Sequence, residues 1–122
     1  MNTVLRFFWI AILLATTTNS TSAHHSAAMF NKPEVTMQGV VKQFQFINPH
    51  AWLIVTVEDE DGESTDWALE MNATNLLQRQ GIHKTTFPVG TEITFMSRPI
   101  NDGRPASLLK KVVFADGTTL DL

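Results

Sequence analysis

The residues best suited to chemistry lie in two short segments, 48–52 (NPHAW) and 67–70 (WALE). An imidazole and a carboxylate can bind a polar ligand or form an acid–base pair, and an indole can form one wall of a pocket. His50 and Trp52 are two residues apart, so on a strand their side chains point to the same face. If the strand that carries Glu70 pairs with theirs, its carboxylate approaches them across the ladder. The sequence therefore predicts a ligand-binding pocket made by the side chains of Asn48, His50, Trp52 and Glu70.

The same residues also have a purely structural interpretation. In that interpretation His50 satisfies backbone groups at the tight Asn-Pro turn, and both Trp52 and Trp67 pack in the core. The sequence leaves the two interpretations open. Catalysis is not expected, because the chain has no cysteine nucleophile, no serine in a nucleophile-elbow context and no evident carboxylate pair. A His50 and Glu70 dyad would be an acid–base pair without an identified substrate pocket.

Two adjacent histidines, His24 and His25, follow a segment typical of a secretory signal peptide. Arg6 gives this segment a charged start, residues 7–15 are apolar, and small or polar residues continue to Ala23. The apolar stretch is about half of the roughly 20 residues that a membrane-spanning helix needs. We expect a signal peptide over residues 1–23, cleavage after Ala23, and a mature protein of 99 residues in the periplasm or secreted, with no membrane attachment.

Cleavage at that position would place the free α-amine of His24 beside its own imidazole, and this pair can chelate a metal ion. Nitrogen-rich sites suit copper(II), which also leads the affinity order of divalent ions. The alternative function is therefore copper binding or copper delivery through His24 and His25. The opposing interpretation is an unstructured N-terminal arm, residues 24–34, whose histidines bind copper weakly and incidentally. No other cofactor is predicted.

Composition excludes several classes of partner. The chain has no cysteine, so it forms no disulfide and carries no lipid attached through one. Without residues 1–23 it has eight Lys or Arg residues against twelve Asp or Glu residues and no basic run, which argues against nucleic acid and anionic membrane surfaces. The acidic run 58–63 lacks the oxygen spacing of a calcium-binding loop and predicts a solvated hairpin turn. The expected partner is a small polar ligand or a periplasmic protein.

Alternating apolar residues predict a mainly β domain over residues 35–122. Strands are predicted over 35–46, 51–58, 64–71, 91–98 and 106–114. A short helix precedes the fourth strand; Asn72 or Thr74 caps it and Gly81 ends it. Five strands with one helix between the third and the fourth is the order of the OB fold, a partly open Greek-key barrel. A plain five-stranded meander is the alternative.

The alternation also assigns faces to the strands. One face of the second strand carries Leu53, Val55 and Val57, and one face of the third strand carries Trp67, Leu69 and Met71. In the first strand the apolar parity shifts near Gly39, which predicts a bulge or sharp bend there.

Several stretches together resemble a family of small exported bacterial proteins that is catalogued as a domain of unknown function. They are AHHS at 23–26, VxMxGxV at 35–41, NPHAW at 48–52 and WALEM at 67–71. In that family a tryptophan usually follows the glycine that ends the helix, and Ile82 stands in that place here. More loosely, the chain resembles periplasmic proteins with the bacterial OB fold. The resemblance implies export and the barrel, and it implies no established activity.

Overall fold

The structure is a computed structural model that describes residues 28–122. Its strands are β1 (Val35–Gln45), β2 (Trp52–Glu58), β3 (Ser64–Glu70), β4 (Glu92–Pro99), β5 (Ala106–Phe114) and β6 (Thr119–Asp121), and helix α1 (Thr74–Arg79) lies between β3 and β4. The predicted mainly β fold with its helix after the third strand is confirmed. Within residues 28–122, no helix has the length and apolar character needed to cross a membrane.

Five of the strands close into a barrel. β1 is antiparallel to both β2 and β4, β3 is antiparallel to β2, and β5 is antiparallel to β4. The barrel closes where β3 and β5 run parallel through three residue pairs. These pairs are Ala68↔Ala106, Leu69↔Ser107 and Glu70↔Leu108. The seam rules out a plain meander, and β6 is an added strand on the second half of β5.

β1 bends because it changes partners along its length. Its first half pairs with β4 and its second half with β2, and Val40 is paired with both. The bulge predicted at Gly39 lies instead at Lys42, the unpaired residue between Val41 and Gln43 in the ladder with β2. The positions of β1 that face the barrel interior therefore shift by one residue at Lys42. This is the change of alternation that the sequence predicts near Gly39.

Gly39 is required by the close approach of β2. A Cβ atom at this position would lie 2.5 Å from the backbone oxygen of Thr56 and 2.6 Å from Cγ1 of Val55. Both distances are shorter than van der Waals contact, so any side chain here would push β1 and β2 apart. Gly39 therefore lies where β1 and β2 approach each other closely. It is one residue before Val40, which is paired with both β2 and β4.

The barrel interior is filled by the face of β2 that carries Leu53 and Val55 and by the face of β3 that carries Trp67 and Leu69. Leu53, Val55 and Leu69 are 0% exposed, and Trp67 packs against them as part of the core. The interior also contains two fully buried serines whose hydroxyls have no hydrogen-bond partner within residues 28–122; these are Ser97 and Ser107. On the β2–β3 hairpin the buried positions of this face are all apolar.

Helix α1 ends at Gly81, as predicted. The N–H of Gly81 donates to the carbonyl of Gln78, and the N–H of Ile82 donates to the carbonyl of Leu77. Gly81 has a φ of 81°, and this pair of bonds is the Schellman arrangement. Leu77 and Ile82 are both 0% exposed, so the position where the family usually has tryptophan is a core position.

The described part of the predicted arm, residues 28–34, packs against the barrel. Phe30 is 6% exposed. Asn101, in the loop between β4 and β5, donates from its backbone N–H to the carbonyl of Met29 and from Nδ2 to the carbonyl of Ala28. These contacts attach the chain that leads into β1 to the β4–β5 loop.

Candidate functional site

The outer face of β2 and β3 brings together three of the four predicted site residues. Trp52 and Glu70 are directly paired across the two strands. His50 lies two residues before Trp52, and its Nδ1 atom is 2.6 Å from Oε1 of Glu70. Their neighbours in sequence, Leu53 and Leu69, are fully buried on the opposite face. We refer to His50, Trp52 and Glu70 as the outer site.

The His50 and Glu70 side chains are unequally exposed, at 45% and 13%. Withdrawing a carboxylate from water is costly unless a polar partner accompanies it, and the imidazole of His50 lies beside Glu70 as that partner. Nδ1 is the ring nitrogen that faces Oε1 of Glu70. Nε2 is then the ring atom that can meet a ligand, as an acceptor in the neutral ring and as a donor in the protonated one.

The two tryptophans of this hairpin face opposite sides of the sheet. Trp67 packs against the core. Trp52 is half-buried on the outer face, where its paired residues are Gln45 on β1 and Glu70 on β3. Trp52 therefore gives the outer site an aromatic surface between two polar side chains.

Asn48 is directed at the helix. Its Oδ1 atom accepts hydrogen bonds from the backbone N–H and the hydroxyl of Thr74, each at 3.0 Å. The N-cap residue of α1 is Ala73, which offers no side-chain acceptor, so Asn48 supplies one from the β1–β2 loop. The predicted capping by Asn72 or Thr74 is wrong for this reason. Asn48 holds the loop that carries His50 against the start of α1.

Two glutamines that the sequence analysis did not select adjoin the outer site. Gln45 is paired with Trp52, Gln43 is paired with Ile54, and Nε2 of Gln45 lies 3.4 Å from Oε1 of Gln43. Their outward direction depends on the bulge at Lys42, which resets the alternation of β1. Their amide groups add neutral donors and acceptors beside the indole.

Farther along the same face, Asp66 is occupied by its neighbours. Its carboxylate forms an ion pair with Lys42, and its Oδ1 atom accepts a hydrogen bond of 2.7 Å from the hydroxyl of Thr56. The hydrogen bond from Lys42, followed by that from Thr56, lowers the pKa of Asp66 below its ordinary value. The charge of Lys42 is therefore directed at Asp66.

The acidic turn at 58–63 is held by one of its own carboxylates, and the predicted hairpin turn is observed. Oδ1 of Asp59 accepts hydrogen bonds from the backbone N–H groups of Asp61 and Glu63, each at 2.9 Å.

Over residues 28–122, no group of three or more His, Cys, Asp or Glu side chains is arranged to hold a metal ion. The predicted copper ligands, His24 and His25, lie outside the described residues.

The outer site lies on the outward face of the sheet. Two clefts, of about 500 Å³ and about 540 Å³, lie elsewhere, and neither is lined by His50, Trp52 or Glu70. The pocket predicted from the sequence stays a prediction, with its residues on an open face of β2 and β3. Such a surface suits a ligand that lies across several side chains.

The fold and the site define a small closed β-barrel with a polar and aromatic face on its second and third strands. The chain belongs to the family of unknown function DUF6152, whose profile matches residues 11–109. The match includes the outer site, Asn48 and α1, and the predicted membership in a family of unknown function is confirmed. No curated protein and no solved structure matches this chain.

Proposed function

We propose that this protein is an exported binding module, and not an enzyme, that holds a small uncharged polar ligand on the outer site. The observation that carries the proposal is the 2.6 Å contact between His50 and Glu70 beside Trp52. It fixes a ring nitrogen and a carboxylate next to an indole before any ligand arrives. Preorganised groups of this kind reduce the ordering cost of binding.

The charges around the site favour an uncharged ligand. Glu70 repels anions, and its carboxylate is already in contact with the imidazole of His50. Lys42, a cation on this face, is paired with Asp66. The remaining groups are the amides of Gln43 and Gln45, which suit hydroxyl or amide partners on a ligand.

The position of the site within the barrel supports the same proposal. In OB folds the face of the second and third strands and the loop between the first two strands bind oligosaccharides and oligonucleotides. His50 lies in that loop and Trp52 begins the second strand. This is an analogy at the level of the fold, so the ligand class rests on the side chains themselves.

Binding without catalysis is supported by the exposure of the site. The His50 side chain is 45% exposed, so water reaches the ring. Export is supported by the sequence of residues 1–23, with its charged start, apolar stretch and small-residue end.

The fluorescence of Trp52 tests the proposal. In the mature chain carrying Trp67→Phe, Trp52 is the remaining tryptophan of residues 24–122, so its emission reports on the outer site alone. Maltotriose, trialanine and citrate are used as the uncharged, zwitterionic and anionic probes. We expect saturable change with maltotriose, and an affinity lowered about tenfold or more by His50→Ala and by Glu70→Gln, equivalent to about 1.4 kcal/mol.

His83→Ala is the matched control, because His83 is an exposed histidine in the segment between α1 and β4. It should leave maltotriose binding unchanged. The absence of saturable binding by all three probes would contradict the proposal of a small ligand. Equal weakening by His83→Ala would show that the effect is not local to the outer site.

The second candidate function is copper binding by His24 and His25. The observation that favours it is the run of small residues that ends at Ala23, directly before the two histidines. We expect the exported protein to have the mass of residues 24–122, and to bind copper(II) more tightly than its His24→Ala/His25→Ala variant. A different N-terminus, or an affinity no higher than that of a His-His peptide, would contradict this function.

A further inference from the structure

A second surface lies on the other part of the barrel, at the point where β1 leaves β2 and joins β4. Val40 is paired with Thr56 on β2 and with Glu92 on β4, and all three residues line the cleft of about 500 Å³. The remaining lining residues are Gln38, Gly39, Glu58, Ser64, Ile93, Thr94, Val113, Phe114 and Ala115. We call this surface the β1 cleft. None of its residues belongs to the outer site.

The β1 cleft has an apolar part. Val40, a β-branched apolar residue, is 40% exposed. Phe114 lines the same cleft, and its ring is stacked on that of Phe87 with centroids 5.8 Å apart. Phe87 is 3% exposed, so the wall formed by Phe114 is backed by a buried ring. These side chains offer an apolar ligand a surface whose shape is fixed.

The β1 cleft also has a negative part. Glu58 at the end of β2 and Glu92 at the start of β4 contribute carboxylates from two different strands. Within residues 28–122 neither glutamate forms an ion pair. The residues that line the cleft include no lysine, arginine or histidine. The lining residues of the cleft therefore carry two negative charges and no positive one.

The shape of the cleft is maintained by backbone contact. Gly39 is one of its lining residues, and a Cβ atom there would lie 2.5 Å from the backbone oxygen of Thr56. β1 and β2 are thus too close at this point to leave room for a side chain on residue 39. Side chains mounted on paired strands hold their positions better than side chains on loops.

We propose that the β1 cleft binds an organic cation, in which a primary amine or guanidinium is attached to an apolar body. The cationic group lies between the carboxylates of Glu58 and Glu92, and the apolar body lies against Val40 and Phe114. A volume of about 500 Å³ is within the size range of small-molecule sites. This site is independent of the ligand proposed for the outer site.

An NMR titration of the ¹⁵N-labelled mature protein with 2-phenylethylamine tests this proposal, with 2-phenylethanol as the uncharged molecule of the same shape. We expect saturable shifts of the Val40 and Thr94 amides with the amine, and binding of the alcohol at least tenfold weaker. Glu58→Gln and Glu92→Gln should each weaken amine binding about fivefold or more. Thermal midpoints show that each variant is folded.

Glu63→Gln is the matched control, because it removes one negative charge from the same hairpin without altering a lining residue of the cleft. It should change the affinity by less than twofold, and so should His50→Ala. Equal binding of the alcohol would overturn the proposal, and so would equal weakening by Glu63→Gln. Amine-induced shifts confined to the outer site would also overturn it, and none of these outcomes would affect the maltotriose experiment.

Discussion

The two faces of the β2–β3 hairpin are built from alternate residues of the same strands, yet they have opposite surroundings. Leu53 and Leu69 are 0% exposed inside the barrel. Trp52 and Glu70, their immediate neighbours in sequence, are paired on the outside. A shift of register by one residue would exchange the faces and bring a carboxylate into the core. The hydrophobic pattern that stabilises the barrel is therefore also what keeps the outer site at the surface.

The largest difference between the two faces is expected in stability. Leu53→Ala should lower the free energy of unfolding by about 2–5 kcal/mol, because it leaves a cavity in a fully packed interior. Ile54→Ala, one residue later on the outer face, should cost about 1 kcal/mol, since its side chain is part-exposed and can be replaced by water. Urea unfolding of the two variants gives the comparison. Similar losses for both would mean that the outer face also contributes to the core.

Gly39→Ala should have the next largest effect. The added methyl would meet the backbone oxygen of Thr56 and Cγ1 of Val55, so β1 and β2 must separate locally. Overpacking of this kind costs about 1–3 kcal/mol. Gly90→Ala is the control for a glycine with open space around it, although its φ of 88° adds conformational strain of about 1–2 kcal/mol.

The effects of the two glycine variants are distinguished by which backbone amide signals shift in the NMR spectrum. Gly39→Ala should shift the amide signals of β2 and of the β1 cleft, whereas Gly90→Ala should shift those of its own turn. A Gly39→Ala protein with unchanged β2 signals would show that the two backbones are not in close contact in solution.

The His50 and Glu70 pair should show energetic coupling. His50→Ala leaves a carboxylate that is 13% exposed without its imidazole partner, and an unpaired polar group of this kind costs about 1–3 kcal/mol. Glu70→Gln removes the charge and should cost less. In the double variant the penalty should be smaller than the sum of the two by about 0.5 kcal/mol or more, measured by urea unfolding at pH 7. Strictly additive losses would contradict the contact.

The smallest effect is expected at Asp66, farther along the outer face. Its pKa is lowered in the folded protein, mainly by the hydrogen bond from Lys42. A lowered carboxyl pKa stabilises the fold above the unfolded-state value, near 3.8, and this contribution is lost as the pH falls through the lower folded-state pKa. Lys42→Met should raise the pKa of Asp66, as read from its NMR titration. An unchanged pKa would show that the ion pair is not populated in solution.

Local pattern was enough to predict the faces of the hairpin and the end of the helix. The contrast between Leu53 inside and Trp52 outside follows from the period of two residues in a strand. Gly81 ends α1 because glycine readily adopts the left-handed conformation that the Schellman arrangement requires. Both features depend on residues a few positions apart, so they are readable without knowledge of the rest of the fold.

The two predictions that were wrong, the position of the bulge and the cap of α1, both depend on contacts between different elements of the chain. The bulge lies at Lys42, within the part of β1 that pairs with β2, where Val41 is paired with Val55 and Gln43 with Ile54. The acceptor for the start of α1 comes from Asn48, 26 residues before Thr74. No propensity or spacing rule connects two such positions, since the connection exists only after the barrel has closed.

The sequence by itself determined which residues share a face of each strand in the hairpin, and where the turns and the helix end lie. Only the tertiary structure decided which face is buried, that His50 contacts Glu70, that Asn48 supports the helix, and that Glu58 and Glu92 line one cleft with Val40. The physical reason is that periodicity orients a side chain relative to its own strand. Its neighbours across the sheet are set by the pairing of strands and by the short parallel seam that closes the barrel.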